Sequence, residues 1–156
     1  MIPQSTEKEE NDASSETYWV KPLENRKDAK RIIDFFFSED SFDDRNFTKG
    51  EIIQMKSLPN ESLKDASFQF WYEENRENEI IGVISLKENE QNSGGYFIDY
   101  IVVHKQYRNR SIAQQLMDVV INYVELVKGR YIQVNTCDTF LYEGVRKLFK
   151  KKDSLR

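Results

Sequence analysis

The chain has 156 residues, a formal charge of −4, one cysteine and one histidine. Its length suits a single domain whose core needs no disulfide or metal staple, and one cysteine excludes an intramolecular disulfide and any cysteine-based metal cluster. The acidic balance argues against broad nucleic-acid or anionic-membrane binding, no apolar run reaches a membrane span, and the polar, acidic N-terminus is unlike a signal peptide, so the expected location is the cytoplasm.

Residues 1–16 carry almost no apolar side chains and are expected to form a disordered tail, or a docking peptide, ahead of one domain over residues 17–156. Residues 18–23 read as a short first strand. Asn25 is placed to cap a helix over residues 26–37, where Ala29, Ile32, Ile33, Phe36 and Phe37 keep helical spacing and Phe35 adds bulk against a sheet. A polar connection with Phe42 and Phe47 leads to a second helix over residues 48–58, expected to stop before Pro59. The aromatic alternation of residues 67–72 is a strand, residues 73–77 read as a charged hairpin loop, and the run 73–79 as solvated surface. Residues 79–87 form a more buried strand in which Gly82 marks a bulge or a close backbone approach.

Gly94 and Gly95 turn the chain into a strand over residues 96–104, apolar apart from Asp99. A basic turn, residues 105–110, enters a helix over residues 111–128 with Ile112, Leu116, Val119, Val120, Tyr123 and Val127 inward and Gly129 as the C-cap glycine. Residues 130–136 alternate as a fifth strand. A last helix starts at Asp138 and Thr139, with Leu141, Val145, Leu148 and Phe149 inward. Antiparallel hairpins followed by one strand–helix–strand crossover give a mixed sheet flanked by helices, of the α/β (α+β) class.

A helix N-terminus fed by a basic turn offers backbone N–H groups and the positive end of its dipole, a ready anion site. With this order of elements and the run Val103-His104-Lys105-Gln106-Tyr107-Arg108-Asn109-Arg110-Ser111-Ile112-Ala113, the chain resembles the GNAT superfamily of N-acetyltransferases over residues 18–152. The family's acetyl-CoA signature is Arg or Gln, two residues, Gly, one residue, then Gly or Ala. Arg108 opens it here, Ser111 takes the first glycine position, Ala113 the last, and His104 stands at the proline-like corner. The resemblance implies the GNAT-like acyl-CoA N-acyltransferase fold and acetyl-CoA as co-substrate. The backbone of Ile101, Val102 and Val103 is then expected to pair with the pantetheine arm, and Arg108, Asn109, Arg110, Ser111, Ile112 and Ala113 to hold the diphosphate. A positive φ is strained without glycine, so the turn is expected to be ordinary or slightly distorted at Ser111, whose hydroxyl donates to a phosphate or caps the helix. Weakened CoA binding is the expected consequence.

Acetyl transfer to an amine needs one group to take the amine proton and another to protonate the leaving thiolate. Asp99 lies four residues before Val103, where some family members carry Glu, so the resemblance makes it the candidate base; burial would raise its pKa. Otherwise it is a hydrogen-bonded or solvent-facing strand aspartate. The family's acid is commonly a Tyr in the last helix, and the matching Phe149 has no proton to give. Tyr142, seven residues earlier, is the candidate donor, or a tyrosine packed on the sheet. His104 reads as structural, and Cys137 as a small buried residue or an acyl-reactive thiol. No metal site is expected.

Family domains continue past the last helix with a glycine–aromatic pair and two strands, so the final β-hairpin is expected to be missing. Strand 130–136 then exposes an edge through which two copies form a homodimer. The implied function is transfer of an acetyl group from acetyl-CoA to a primary amine of a small-molecule or protein acceptor, with no nucleic acid and no membrane as partner. The alternatives are a CoA-binding GNAT-like module without turnover and a purely structural or interaction domain.

Overall fold

The computed structural model describes residues 18–91 and 94–134. The expected N-terminal tail and last helix lie outside these residues, as does the end of the expected fifth strand. Among the described residues, five strands form one sheet in the order β1 (Trp19–Pro22), β2 (Phe68–Glu74), β3 (Ile80–Glu88), β4 (Gly95–Val103) and β5 (Tyr131–Val134). Neighbours run antiparallel except β4 and β5, which are parallel and joined through helix α3 (Ile112–Leu126). This is the expected mixed sheet.

Two apolar layers flank it. On one face α3 packs Ile112, Leu116, Met117, Val120 and Val124 against Trp71, Ile84, Ile98, Ile101 and Val103. On the other, α1 (Arg26–Phe36) and α2 (Lys49–Ser62) bring Ile32, Phe36 and Met55 onto Phe70, Tyr72, Val83 and Val102. Both helices start on side-chain caps, of which Asn25 was the one expected. The Asn25 side chain accepts the Asp28 N–H at 2.8 Å. Thr48 and Glu51 exchange side-chain and backbone bonds of 3.1 and 2.8 Å, a capping box.

Three local expectations are corrected. Helix α2 does not stop before Pro59 but runs on to Ser62. Pro59 is buried one turn after buried Met55, and that packing offsets the lost backbone bond, a loss of about 3 kcal/mol. The inward face of α3 is rotated: Met117, Ile121 and Val124 are buried, Val119 and Tyr123 half-buried, and Val127 is 43% exposed. The left-handed residue after α3 is Lys128 (φ 61°), not Gly129. Lys128 N–H donates to Glu125 O and Gly129 N–H to Val124 O, a Schellman closure. Gly129 is needed for room instead, since a Cβ there would stand 2.5 Å from Val124 Cγ1.

The largest correction concerns residues 73–79. Strand β2 continues through Glu74, and Glu73, Glu74 and Asn75 are all buried. Glu74 is paired by Lys21 Nζ and Arg31 Nη1, each at 2.8 Å. Burial alone would raise its carboxyl, but the bonds from these two cations hold it below its usual value. Asn75 donates to the Glu79 carboxylate at 2.8 Å and to the Tyr107 hydroxyl at 2.9 Å. Only residues 76–79 form the exposed hairpin tip.

Candidate active site

The site begins in β4. Its parallel pairing with β5 spans Gly95 to Ile98, against Tyr131 to Val134. Among the described residues, the pairing with β5 is traced along β4 as far as Ile98. On the β3 side the register slips: Leu86 faces Ile98, but Ser85 faces Tyr100. Asp99 is therefore the extra residue of a β-bulge, a device that bends a strand and re-aims a side chain. The Ser85 hydroxyl takes the freed Tyr100 N–H at 3.0 Å. Ile98 and Ile101, three residues apart, both face the α3-side core, which is the parity switch a bulge produces.

Asp99 is half-buried at this kink. Its neighbour Tyr100 leans to the opposite face, toward α1 and α2. Burial, then the charges of Asp99 and Glu51, push the Tyr100 phenol up to about 12. Tyr100 thus keeps its proton at neutral pH, with two carboxylates near enough to act on it. The side chains of Ile101, Val102 and Val103 are core, so those residues offer a ligand only their backbone.

Past Val103 the chain makes a single 3-10 turn, Lys105–Tyr107, started by His104, whose Nδ1 accepts the Gln106 N–H at 3.1 Å. Arg108 is extended, Asn109 is left-handed (φ 65°), and Ser111 is left-handed (φ 67°, ψ 15°) before α3 begins at Ile112. The expectation of an ordinary turn at Ser111 is thereby corrected. Asn tolerates that region; serine does so at a cost of about 1–2 kcal/mol. The Ser111 side chain makes no capping bond either, which leaves the first-turn N–H groups of α3 to solvent or a ligand. A left-handed residue followed by a helical one turns successive N–H groups into a concave anion cradle. Ser111 and Asn109 are exposed, Ala113 half-buried, and Ile112 buried. The cradle's chemistry fits a diphosphate: N–H donors, a helix N-terminus, a small residue at position 113 and Arg110, whose guanidinium stacks 5.2 Å from the Tyr107 ring centre.

Arg108 has a second occupation. Its Nε donates to Val103 O at 3.1 Å, Nη1 to both oxygens of Asp43 at 2.7 and 2.9 Å, and Nη2 to Ser41 O at 2.7 Å. Nearby, Lys105 N–H donates to Asp40 O at 2.8 Å, and His104 Nε2 lies 3.4 Å from the Asp40 carboxylate. The connection between α1 and α2 is thus fastened to the turn between β4 and α3. His104 is structural in this arrangement, stacked near Phe35 and edge-on to Tyr107. The sequence pattern marked Arg108 but held no sign of Asp43 as its partner.

Of the two alternatives expected at Gly82, the close approach is the one found there, and the bulge falls on its neighbour. Gly82 follows Ile81, the extra residue where β3 slips against β2, and a Cβ on it would stand 2.9 Å from Ile112 Cγ2. Tyr142, Cys137 and Phe149 lie outside the described residues. Among those described, no group of three His, Cys, Asp or Glu side chains could hold a metal, and no helix is long and apolar enough to cross a membrane.

The model of the acetyltransferase (GNAT) family matches residues 31–151. No curated protein matches the chain. Among solved structures, a GNAT-family protein from Desulfovibrio desulfuricans superposes with a TM-score of 0.70 at 17% identity, covering 86% of this chain and 83% of its own. A ribosomal-protein-alanine N-acetyltransferase from Brucella melitensis gives a TM-score of 0.60 at 18% identity, over 86% of this chain and 90% of its own. AAC(6')-Iy, in complex with the bisubstrate analogue CoA-S-monomethyl-acetylneamine, gives 0.64 at 12% identity, over 85% of this chain and 89% of its own.

Proposed function

The chain belongs to the GNAT acetyltransferase family, and on that premise we propose that it transfers the acetyl group of acetyl-CoA to a primary amine. The observation that carries the reading is continuity: β4 runs through Val103 directly into a left-handed turn and the N-terminus of α3. In this reading the backbone of Ile101, Val102 and Val103 pairs with the pantetheine arm as a strand addition. The N–H groups from Asn109 through Ala113 hold the diphosphate, with Arg110 beside it. Arg108 acts on the same site by fixing the turn through Asp43 and Ser41.

The acyl donor supplies an activated thioester. Asp99 takes the proton of the attacking amine, directly or through water, as the C–N bond forms and the C–S bond breaks. Tyr142 is assigned the proton that neutralises the leaving thiolate. The wider acidic surface suits a cationic amine, in a small molecule or a protein.

The second reading is a CoA-binding module without turnover. The strained Ser111, the Arg108 guanidinium already held by Asp43, and Phe149 in the position of the family's acid all favour it. Free-thiol release from acetyl-CoA across a panel of amines separates the two. The acetyltransferase reading expects release above background that falls about a hundredfold in Asp99→Asn with coenzyme A affinity unchanged. Coenzyme A binding with no release on any amine overturns it in favour of the module.

A further inference from the structure

Glu73 is fully buried at 0% exposure, and neither carboxyl oxygen has a hydrogen-bond partner among the described residues. Trp71 faces the α3-side core and Tyr72 the opposite one, so alternation along β2 carries the Glu73 side chain to the α3 face. Its register partners are Val20 on β1 and Gly82 on β3. At Gly82 α3 presses close on the sheet, the missing Cβ leaving room for Ile112 and Leu116. Glu73 lies one strand spacing, about 5 Å, from that point. The carboxyl therefore sits beneath the first turn of α3, the turn whose N–H groups form the anion cradle.

Among the described residues, the surrounding elements bring it no counter-charge. Strand β1 presents Val20, β3 presents Ile81 and Gly82, and α3 presents Ile112 and Leu116. Glu74 leans to the other face, into Lys21 and Arg31. The turn above carries His104, Lys105, Tyr107, Arg108 and Arg110, of which Arg108 is held by Asp43 and Arg110 lies over Tyr107. Burial alone pushes the Glu73 carboxyl up from 4.5 to about 8, so it holds a proton at neutral pH.

We propose that Glu73 is a positioning residue for the diphosphate of the acyl donor, leaving the α3 N-terminus positive while it holds its proton and opposing the ligand from below once it is ionised. Binding of a diphosphate then draws a proton onto this carboxyl, and affinity falls as pH rises through its titration. The inference rests on the acyl-CoA reading above and adds to it a pH dependence with a named origin.

The test is calorimetric titration of coenzyme A into the full-length protein and its Glu73→Gln variant, between about pH 6.5 and about pH 9, in two buffers of different ionisation enthalpy. The ligand's own phosphates are the same in both titrations and cancel in the comparison. The two affinities are expected to agree at the acid end, and the unmodified protein to bind about tenfold more weakly than the variant at the alkaline end. Proton uptake near pH 8 is expected in the unmodified protein alone. Parallel affinity profiles with binding intact overturn the inference. So does an absence of proton uptake in the unmodified protein, a readout that does not depend on the variant. If neither protein binds coenzyme A at any pH, the acyl-CoA reading falls, and the inference falls with it.

Discussion

A buried carboxyl without a partner lowers stability wherever the unfolded chain can ionise it and the folded one cannot. For Glu73 that window lies between the ordinary 4.5 and about 8. The folded pKa is raised, so the unfolded chain gives up a proton that the folded chain keeps. Stability therefore falls by about 1.4 kcal/mol per pH unit as pH rises through the window, and levels off above it. Glu73→Gln cannot ionise and is expected to be about 3 kcal/mol more stable than the unmodified protein near pH 7, with the gap closing near pH 4. Urea denaturation at both pH values checks this; a pH-independent gap contradicts it. Nothing around position 73 announces the burial, because the run of Glu and Asn has the composition of a surface. What buries it is remote: β1 pairs from one side, and α3 covers it where Gly82 lets the helix approach. Ser111 is a similar case. Its place in the signature was legible, but its left-handed backbone was not, since local preference argues against it and only the strand-to-helix geometry imposes it.

At the scale of elements, the structure joins two segments that sequence reading kept apart. Arg108 reaches from the turn before α3 to Asp43 and Ser41 in the connection between α1 and α2. Asp43 is partly exposed, so its ion pair with Arg108 is screened and Asp43→Ala is expected to cost only about 0.5–1 kcal/mol. Arg108→Ala removes the bonds to Val103 O and Ser41 O as well, and is expected to cost about 2–3 kcal/mol. Equal losses for the two variants in thermal or denaturant unfolding would contradict the clamp. Most element boundaries were readable, because apolar spacing and a cap such as Asn25 are local signals. The errors share one cause. Pro59 stays helical because its buried face is packed, α3 turns a different stripe inward because the sheet dictates it, and β2 extends because β1 pairs alongside Glu73 and Glu74. Each is a tertiary contact overriding a local preference.

For the whole molecule, the fold runs β4 directly into the turn at the N-terminus of α3. The order of strands, the parallel pair β4 and β5, and the position of α3 between them were legible, since a strand–helix–strand unit has few ways to pack. The bulge at Asp99 was not, because one extra residue leaves no mark on composition. It matters for chemistry, since it sets the one charged residue of β4 at a kink in the strand. The account's central claim is that acyl-CoA lies along residues 99–103 of β4 and over this turn. The most direct test is hydrogen exchange of the intact protein with and without saturating coenzyme A. The account predicts slowed exchange at the amides of residues 99–103 and 109–114, with β1 and α2 unchanged. Unaltered exchange in both segments, or protection confined to other elements, contradicts it.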